Sequence, residues 1–183
     1  NFGHSLILNV EIADLIKTRM PVTLWLTVPA MLLSIIFGVV IGIVCATHRG
    51  SFLDQFLTVL MTAMNGIPIF WIGIMLIYLF GVQLKLLPLM GFSSPADGVK
   101  DYLLHAAMPI FIMTFGPLSS IARQVRTNML EVINQDYIRT SKAFGLSTWK
   151  IRYKYALKNS LIPVITLIAL QVRSIVGGSL LAE

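Results

Sequence analysis

"RTSKAFGLSTWK", Arg139 to Lys150, is a basic, soluble-looking stretch turned at Gly145, in a chain whose other long segments are suited to a bilayer. Its neighbours define it. Upstream, Tyr102 to Ala122 carries no charge; downstream, from Leu161 to Leu181, Arg173 is the one charge. Uncharged runs of about 20 residues match the thickness of a hydrocarbon core. A polar element held between two such runs lies on a membrane surface, and the fold follows from which surface that is.

Working outward, two more runs have the same character. Met20 to Thr47 is uncharged between Lys17 and Arg19 on one side and His48 and Arg49 on the other. Gln55 to Leu84 is also uncharged but is interrupted by Asn65, Gly66 and Pro68, so it reads as one long, kinked helix. Between it and the third run, Lys85 to Asp101 holds Pro88, Gly91, Pro95 and Gly98 and reads as a loop. Four spans result. With 56% hydrophobic and only 12% charged residues, against about a quarter charged in soluble domains, the chain is an all-α integral membrane protein. The single cysteine, Cys45, excludes a disulfide framework and a cysteine metal site.

Charge gives the orientation. In Arg123 to Lys158, eight basic residues against Glu131 and Asp136 carry the whole net charge of +6, whereas Asn1 to Arg19 and Lys85 to Asp101 are each balanced. The positive-inside rule puts residues 123–158 and the turn His48 to Asp54 in the cytoplasm, and residues 1–19 and 85–101 outside. The opening residues lack a basic start followed by an apolar core, so no cleavable signal is read. Beginning outside with no preceding span and stopping just after one, the chain reads as part of something longer.

Within the cytoplasmic stretch, Glu131 to Phe144 has no Gly or Pro, and Ile133, Tyr137, Thr140 and Phe144 recur at helical spacing. Gly145 suits the left-handed position that ends a helix, and Ser147 suits the cap of a short second helix starting near Thr148. Two readings of this hairpin stand side by side: a basic amphipathic element on anionic lipid, or a docking site for another protein.

"DYIRTSKAFG" (Asp136 to Gly145) followed by "ALKNSLIPVITLIALQV" (Ala156 to Val172) resembles the cytoplasmic signature of the inner-membrane permeases of binding-protein-dependent ABC importers, in the peptide, opine and nickel branch. "PIFWIGIMLIYLF" (Pro68 to Phe80), "LLPLMGF" (Leu86 to Phe92) and "SIARQVRTNMLEV" (Ser120 to Val132) resemble the same branch, so the likeness covers nearly everything from Met20 onward. In that family the loop is the EAA motif, a coupling helix resting in a groove of an ATPase subunit. Here the triplet is Arg139, Thr140 and Ser141, and the usual I-x-L-P is replaced by Tyr155, Ala156, Leu157 and Lys158, with proline delayed to Pro163.

The resemblance implies a polytopic helical bundle of the type I importer fold, residues 20–183 forming a transmembrane domain incomplete at its C-terminus and holding about four of six spans. It implies ATPase coupling through Asp136, Arg139, Thr140, Ser141, Lys142, Ala143, Phe144, Gly145, Leu146 and Ser147. Phe144 is expected to bury in the ATPase groove, with Arg139 and Lys142 facing acidic groups there or solvent. The implied partners are a second homologous permease, cytoplasmic ATPase subunits that bind ATP and Mg, an extracytoplasmic solute-binding protein and membrane lipid, in a bacterial or archaeal inner membrane. No cofactor is expected in this chain and no nucleic-acid partner.

Neither a phosphate-binding glycine loop nor a catalytic constellation is present, and His4, His48 and His105 fall in three different segments, so no metal site and no enzyme activity are expected. Asn65 and Pro68 near mid-membrane are candidates for lining the pathway. So are Gln171 and Arg173: Arg173 lies about 18 Å into its span, where an unpaired cation costs about 2.5–3.5 kcal/mol, and it shares a polar half of the helix with Gln171 and Thr166. Nickel or a metal chelate is the alternative cargo to peptide. A secondary transporter is the alternative mechanism, against which stands the single ionisable residue within the spans.

Overall fold

Proline and small residues decide where the helices of this chain bend, break and touch. In the computed structural model the described residues are 3–4, 10–96 and 98–182, with side chains described through 172. They form α1 (Ile12–Thr47), α2 (Phe52–Gly66), α3 (Ile69–Leu76) running on as a π-helical turn (Ile77–Gln83), α4 (Val99–Ile133), α5 (Asp136–Ala143) and α6 (Leu157–Ala182), the last preceded by a π-helical segment (Lys150–Ala156). Among the described residues there is no β-strand.

The helices α1 and α4 pair most extensively, and their contacts rise together in sequence. The Tyr102 hydroxyl donates to the Trp25 carbonyl at 2.6 Å, Ser34 Oγ donates to the Thr114 carbonyl at 3.1 Å, and Gly42 lies against Ala122 and Val125. These helices therefore run parallel. Two parallel spans require the chain to cross back between them, so α2 and α3, although bent by 98° at Ile67 and Pro68, together make the return crossing. A re-entrant hairpin would have made α4 antiparallel to α1. The α6 helix returns antiparallel to α4, with Asn128 Nδ2 donating to the Ser160 carbonyl at 3.0 Å and Val164 packing with Ile121, Val125 and Met129. Four crossings agree with the four runs read from the sequence.

Two physical devices hold the α1–α4 seam. One is small size: Ala30, Ser34, Gly38, Gly42 and Ala46 recur every four residues and are all buried. Such a small-residue face lets backbones approach where lipid offers no hydrophobic drive. The other is repair of broken backbone bonding. Pro29 has no N–H for the Trp25 carbonyl one turn earlier, and the Tyr102 hydroxyl supplies that donor instead. The Tyr102 ring also meets Trp25 edge-on, with centroids 6.1 Å apart.

Several boundaries differ from those expected. The first helix begins at Ile12, taking in the last part of the segment assigned to residues 1–19, and its 36 residues measure about 54 Å, longer than a bilayer core. The second run is not one kinked helix but two, because Pro68 follows an extended Ile67, which departs from helical geometry ahead of a proline. The third helix does not stop at Ala122. It continues to Ile133 through Pro109 and Pro117, so the first third of the polar stretch is the end of a membrane helix. The helix expected over Glu131 to Phe144 is split at Asn134 and Gln135; Asn134 turns its amide back to the Leu130 carbonyl (2.9 Å) and Gln135 is extended. Finally, no second short helix stands alone. The chain is helical from Thr148 onward into α6, because no Gly or Pro interrupts it before Pro163.

Candidate functional site

The hairpin around Gly145 is built by local hydrogen bonding. The α5 helix ends in a Schellman motif: the Gly145 N–H donates to the Lys142 carbonyl (3.0 Å) and the Leu146 N–H to the Ser141 carbonyl (3.2 Å), with Gly145 at φ +77°. Ser147 then accepts the Lys150 N–H on its side chain at 3.4 Å and the Ile151 N–H on its carbonyl at 3.1 Å, starting the helix that leads into α6. Below, Ile138, Ile151 and Ala156 are fully buried where α5 meets the π-helical segment, and Asn159 Nδ2 donates to the Tyr137 hydroxyl at 3.0 Å. The hairpin is thus tied to the last span by a buried apolar contact and a side-chain bond.

The side chain that faces inward is Ile138, while Tyr137, Thr140 and Phe144, the row read from spacing, are exposed. Thr140 and Ser141 turn their hydroxyls onto carbonyls one turn back, those of Asp136 and Tyr137. Asp136 pairs with Arg139 at 3.5 Å on an exposed face. Lys142, Ala143 and Ser147 are exposed, Leu146 is half-buried, and Phe144 stands out at 83% exposed, so within this chain it does not pack back on the membrane helices. Trp149, which the sequence reading passed over, is 68% exposed beside it and its ring lies 5.4 Å from that of Tyr153. The signal for Trp149 was a large aromatic in a cytoplasmic segment two residues beyond a helix cap.

A second region lies where α2, α4 and α6 leave a gap. Asn65, Ser120, Arg123, Gln124, Thr127 and Leu167 line an open groove of about 320 Å³. Of the residues proposed to line a pathway, Asn65 is on this groove, its amide donating to the Met61 carbonyl (3.0 Å) and to Ser119 Oγ. Pro68 is exposed at the start of α3 and is not among the groove residues. Gln171 is half-buried one turn beyond Leu167 on α6. The side chain of Arg173 lies outside the described residues. The sequence reading missed Ser120, Gln124 and Thr127, although "SIARQVRT" places polar residues at i, i+3, i+4 and i+7 around Arg123, the repeat of one helix face.

At the end of α4 nearer the hairpin, Asp54 is buried and is clamped by Arg126 through two bonds, Nε to Oδ1 at 2.7 Å and Nη2 to Oδ2 at 2.9 Å. The Gly50 N–H also donates to Asp54 Oδ2 (3.0 Å), and the Asp54 N–H donates to Ser51 Oγ (3.2 Å). This cluster locks the turn between α1 and α2 onto α4, one helical turn from Arg123. Fork-to-fork pairing of this kind fixes orientation as well as contributing energy.

Residues 38–183 match the family model described as binding-protein-dependent transport system inner membrane component. The chain belongs to that family. Among proteins it is similar to, a probable peptide ABC transporter permease of Sinorhizobium fredii is 36% identical over the whole chain. A dipeptide transport system permease of Bacillus subtilis is 39% identical over 94% of it, and a glutathione transport system permease of Escherichia coli is 33% identical over all of it. The chain spans 58%, 54% and 57% of the lengths of these three relatives. As a member of that family in the branch of the peptide permeases, it is a multi-pass helical membrane protein, and the hairpin described above falls within the matched region.

Proposed function

We propose that this chain is a transmembrane subunit of an ATP-driven importer for peptides or similar small solutes in a bacterial inner membrane. It forms half of the pathway with a second permease and couples to a cytoplasmic ATPase through the hairpin around Gly145. ATP and Mg belong to that ATPase, and an external binding protein delivers the solute. One observation supports the reading: a hairpin closed by its own hydrogen bonds, tied to the last span and leaving Phe144 83% exposed. An exposed aromatic on a rigid element is suited to fill a partner's pocket, and rigidity is what turns movement of a docked ATPase into movement of helices. The names of the relatives support peptides as the solute class.

Gly145→Val tests the coupling. A Cβ at φ +77° is strained whatever the surrounding space, and a branched one more so. The variant is expected to insert in the membrane normally while substrate-stimulated ATPase activity and uptake in the assembled complex fall about tenfold, the effect of about 1.4 kcal/mol. Uptake and stimulated hydrolysis at wild-type levels would overturn the coupling role.

A further inference from the structure

From Gly116 to Glu131, the residues Gly116, Ser120, Arg123, Gln124, Thr127 and Glu131 fall in one arc of about 100° on α4, and no apolar side chain falls among them. None is fully buried, and a Cβ placed on Gly116 would meet open space. A face turned to lipid carries Leu, Ile or Phe, as α1 does with Leu32, Ile36 and Phe37. This face of α4 is open yet polar, so it borders water or another polar surface.

Of its hydrogen-bonding side chains Gln124 is engaged, donating to Asn128 Oδ1 at 2.7 Å, while Ser120, Arg123 and Thr127 are unspent. The other described hydroxyls of α4, on Thr114 and Ser119, donate to carbonyls of their own helix (Ile110 and Gly116), and Tyr102 donates to Trp25. Among the described residues, Ser120 and Thr127 make no side-chain hydrogen bond and Arg123 has no acidic partner. Arg126, one turn away, is bound to Asp54, and Glu131 is two turns farther along, about 12 Å. A guanidinium and two hydroxyls on one wall of one groove are donors without an acceptor. A cation at the edge of the hydrocarbon with no counter-charge is costly until an anion meets it.

We infer that this groove is a carboxylate-binding station on the cytoplasmic half of the pathway. Arg123 pairs there with the carboxylate of a passing solute, the C-terminal carboxylate in the case of a linear peptide, while Ser120 and Thr127 donate to its oxygens. A single guanidinium matches one negative charge, and charge-assisted bonds give it selectivity over neutral cargo. This deepens the importer reading and rests on it.

The test uses the permease assembled with its partner subunits in lipid vesicles, with trialanine and its C-terminal amide as probes. Both are carried by the same binding protein before and after substitution, so its own preference cancels in the ratio of rates. With Arg123→Gln, ATP-dependent uptake of trialanine is expected to fall about tenfold or more, uptake of the amide to stay unchanged, and the amount of assembled complex to stay unchanged. Arg123→Lys, which keeps the charge, is expected to retain most of the preference for the free acid. Equal loss for both probes in the glutamine variant, or loss of assembly in it combined with no preference in the lysine variant, would overturn the inference in favour of an ion pair with the second permease. Unchanged uptake of both would overturn it outright. Failure of the wild-type complex to take up either peptide would instead count against peptide import itself, and the station would fall with it.

Discussion

Arg123 and Arg126 look alike in sequence, three residues apart in one basic stretch, yet they meet different chemistry. Arg126 closes a two-bond clamp on Asp54, whose side chain is 3% exposed, while Arg123 faces an open groove. What separates them is a carboxylate 72 residues upstream, visible only once α2 lies against α4. The clamp gives a prediction. Asp54→Asn leaves the Arg126 guanidinium without its counter-charge and weakens the seat of the Gly50 turn. Loss of one partner of a buried pair costs about 3–5 kcal/mol, and because the Arg126 side chain is 26% exposed the expected cost is nearer 2 kcal/mol. Thermal denaturation of the purified protein in detergent measures it. Combining Asp54→Asn with Arg126→Gln should recover at least half of the loss; additive losses would mean that the pair contributes little as a pair.

At the scale of the helices, the α1–α4 seam depends on the absence of side chains. A Cβ on Gly42 would lie 2.6 Å from both the Ala122 carbonyl oxygen and Val125 Cβ, and the former is backbone that cannot rotate away. Gly42→Ala should therefore force the helices apart at a cost of about 1–3 kcal/mol, and Gly42→Val should cost more. Gly116→Ala, with nothing near its Cβ, should be neutral or stabilising by up to about 1 kcal/mol, since alanine is the better helix former. The same denaturation assay ranks the three variants, and equal behaviour of Gly42→Ala and Gly116→Ala would refute the close-approach account. Helix existence was legible in the runs of uncharged residues, and the turn at Gly145 was legible in its local chemistry. Helix ends were less so: α4 runs past Ala122 to Ile133, because the charges from Arg123 onward end an uncharged run without breaking a helix.

For the whole molecule, the parallel pairing of α1 with α4 and the charge distribution of the loops point to one topology, with the loop around Met90 outside and the hairpin around Phe144 inside. Both residues are exposed, at 89% and 83%, and the native Cys45 is buried. A membrane-impermeant thiol reagent is accordingly expected to label Met90→Cys in intact cells and Phe144→Cys only after the cytoplasmic face is opened to it. Labelling of Phe144→Cys in intact cells would invert the topology and remove the hairpin from any ATPase.

The amino-acid sequence by itself determined that this chain lives in a bilayer, how many of its runs are apolar enough to cross one, which loops are basic, and where the hairpin turns, because each of these depends on local composition or on residues within one or two helical turns. The tertiary structure decided which face of each helix is hidden. It decided that Ile138 supports the hairpin from within, that Tyr102 repairs the backbone opened by Pro29, and that Asp54 takes Arg126 and leaves Arg123 to the groove. The Tyr102 and Arg126 contacts join residues 77 and 72 positions apart in the chain, and in a protein whose lipid-facing and protein-facing surfaces are both apolar, hydrophobic periodicity alone cannot distinguish one face from the other.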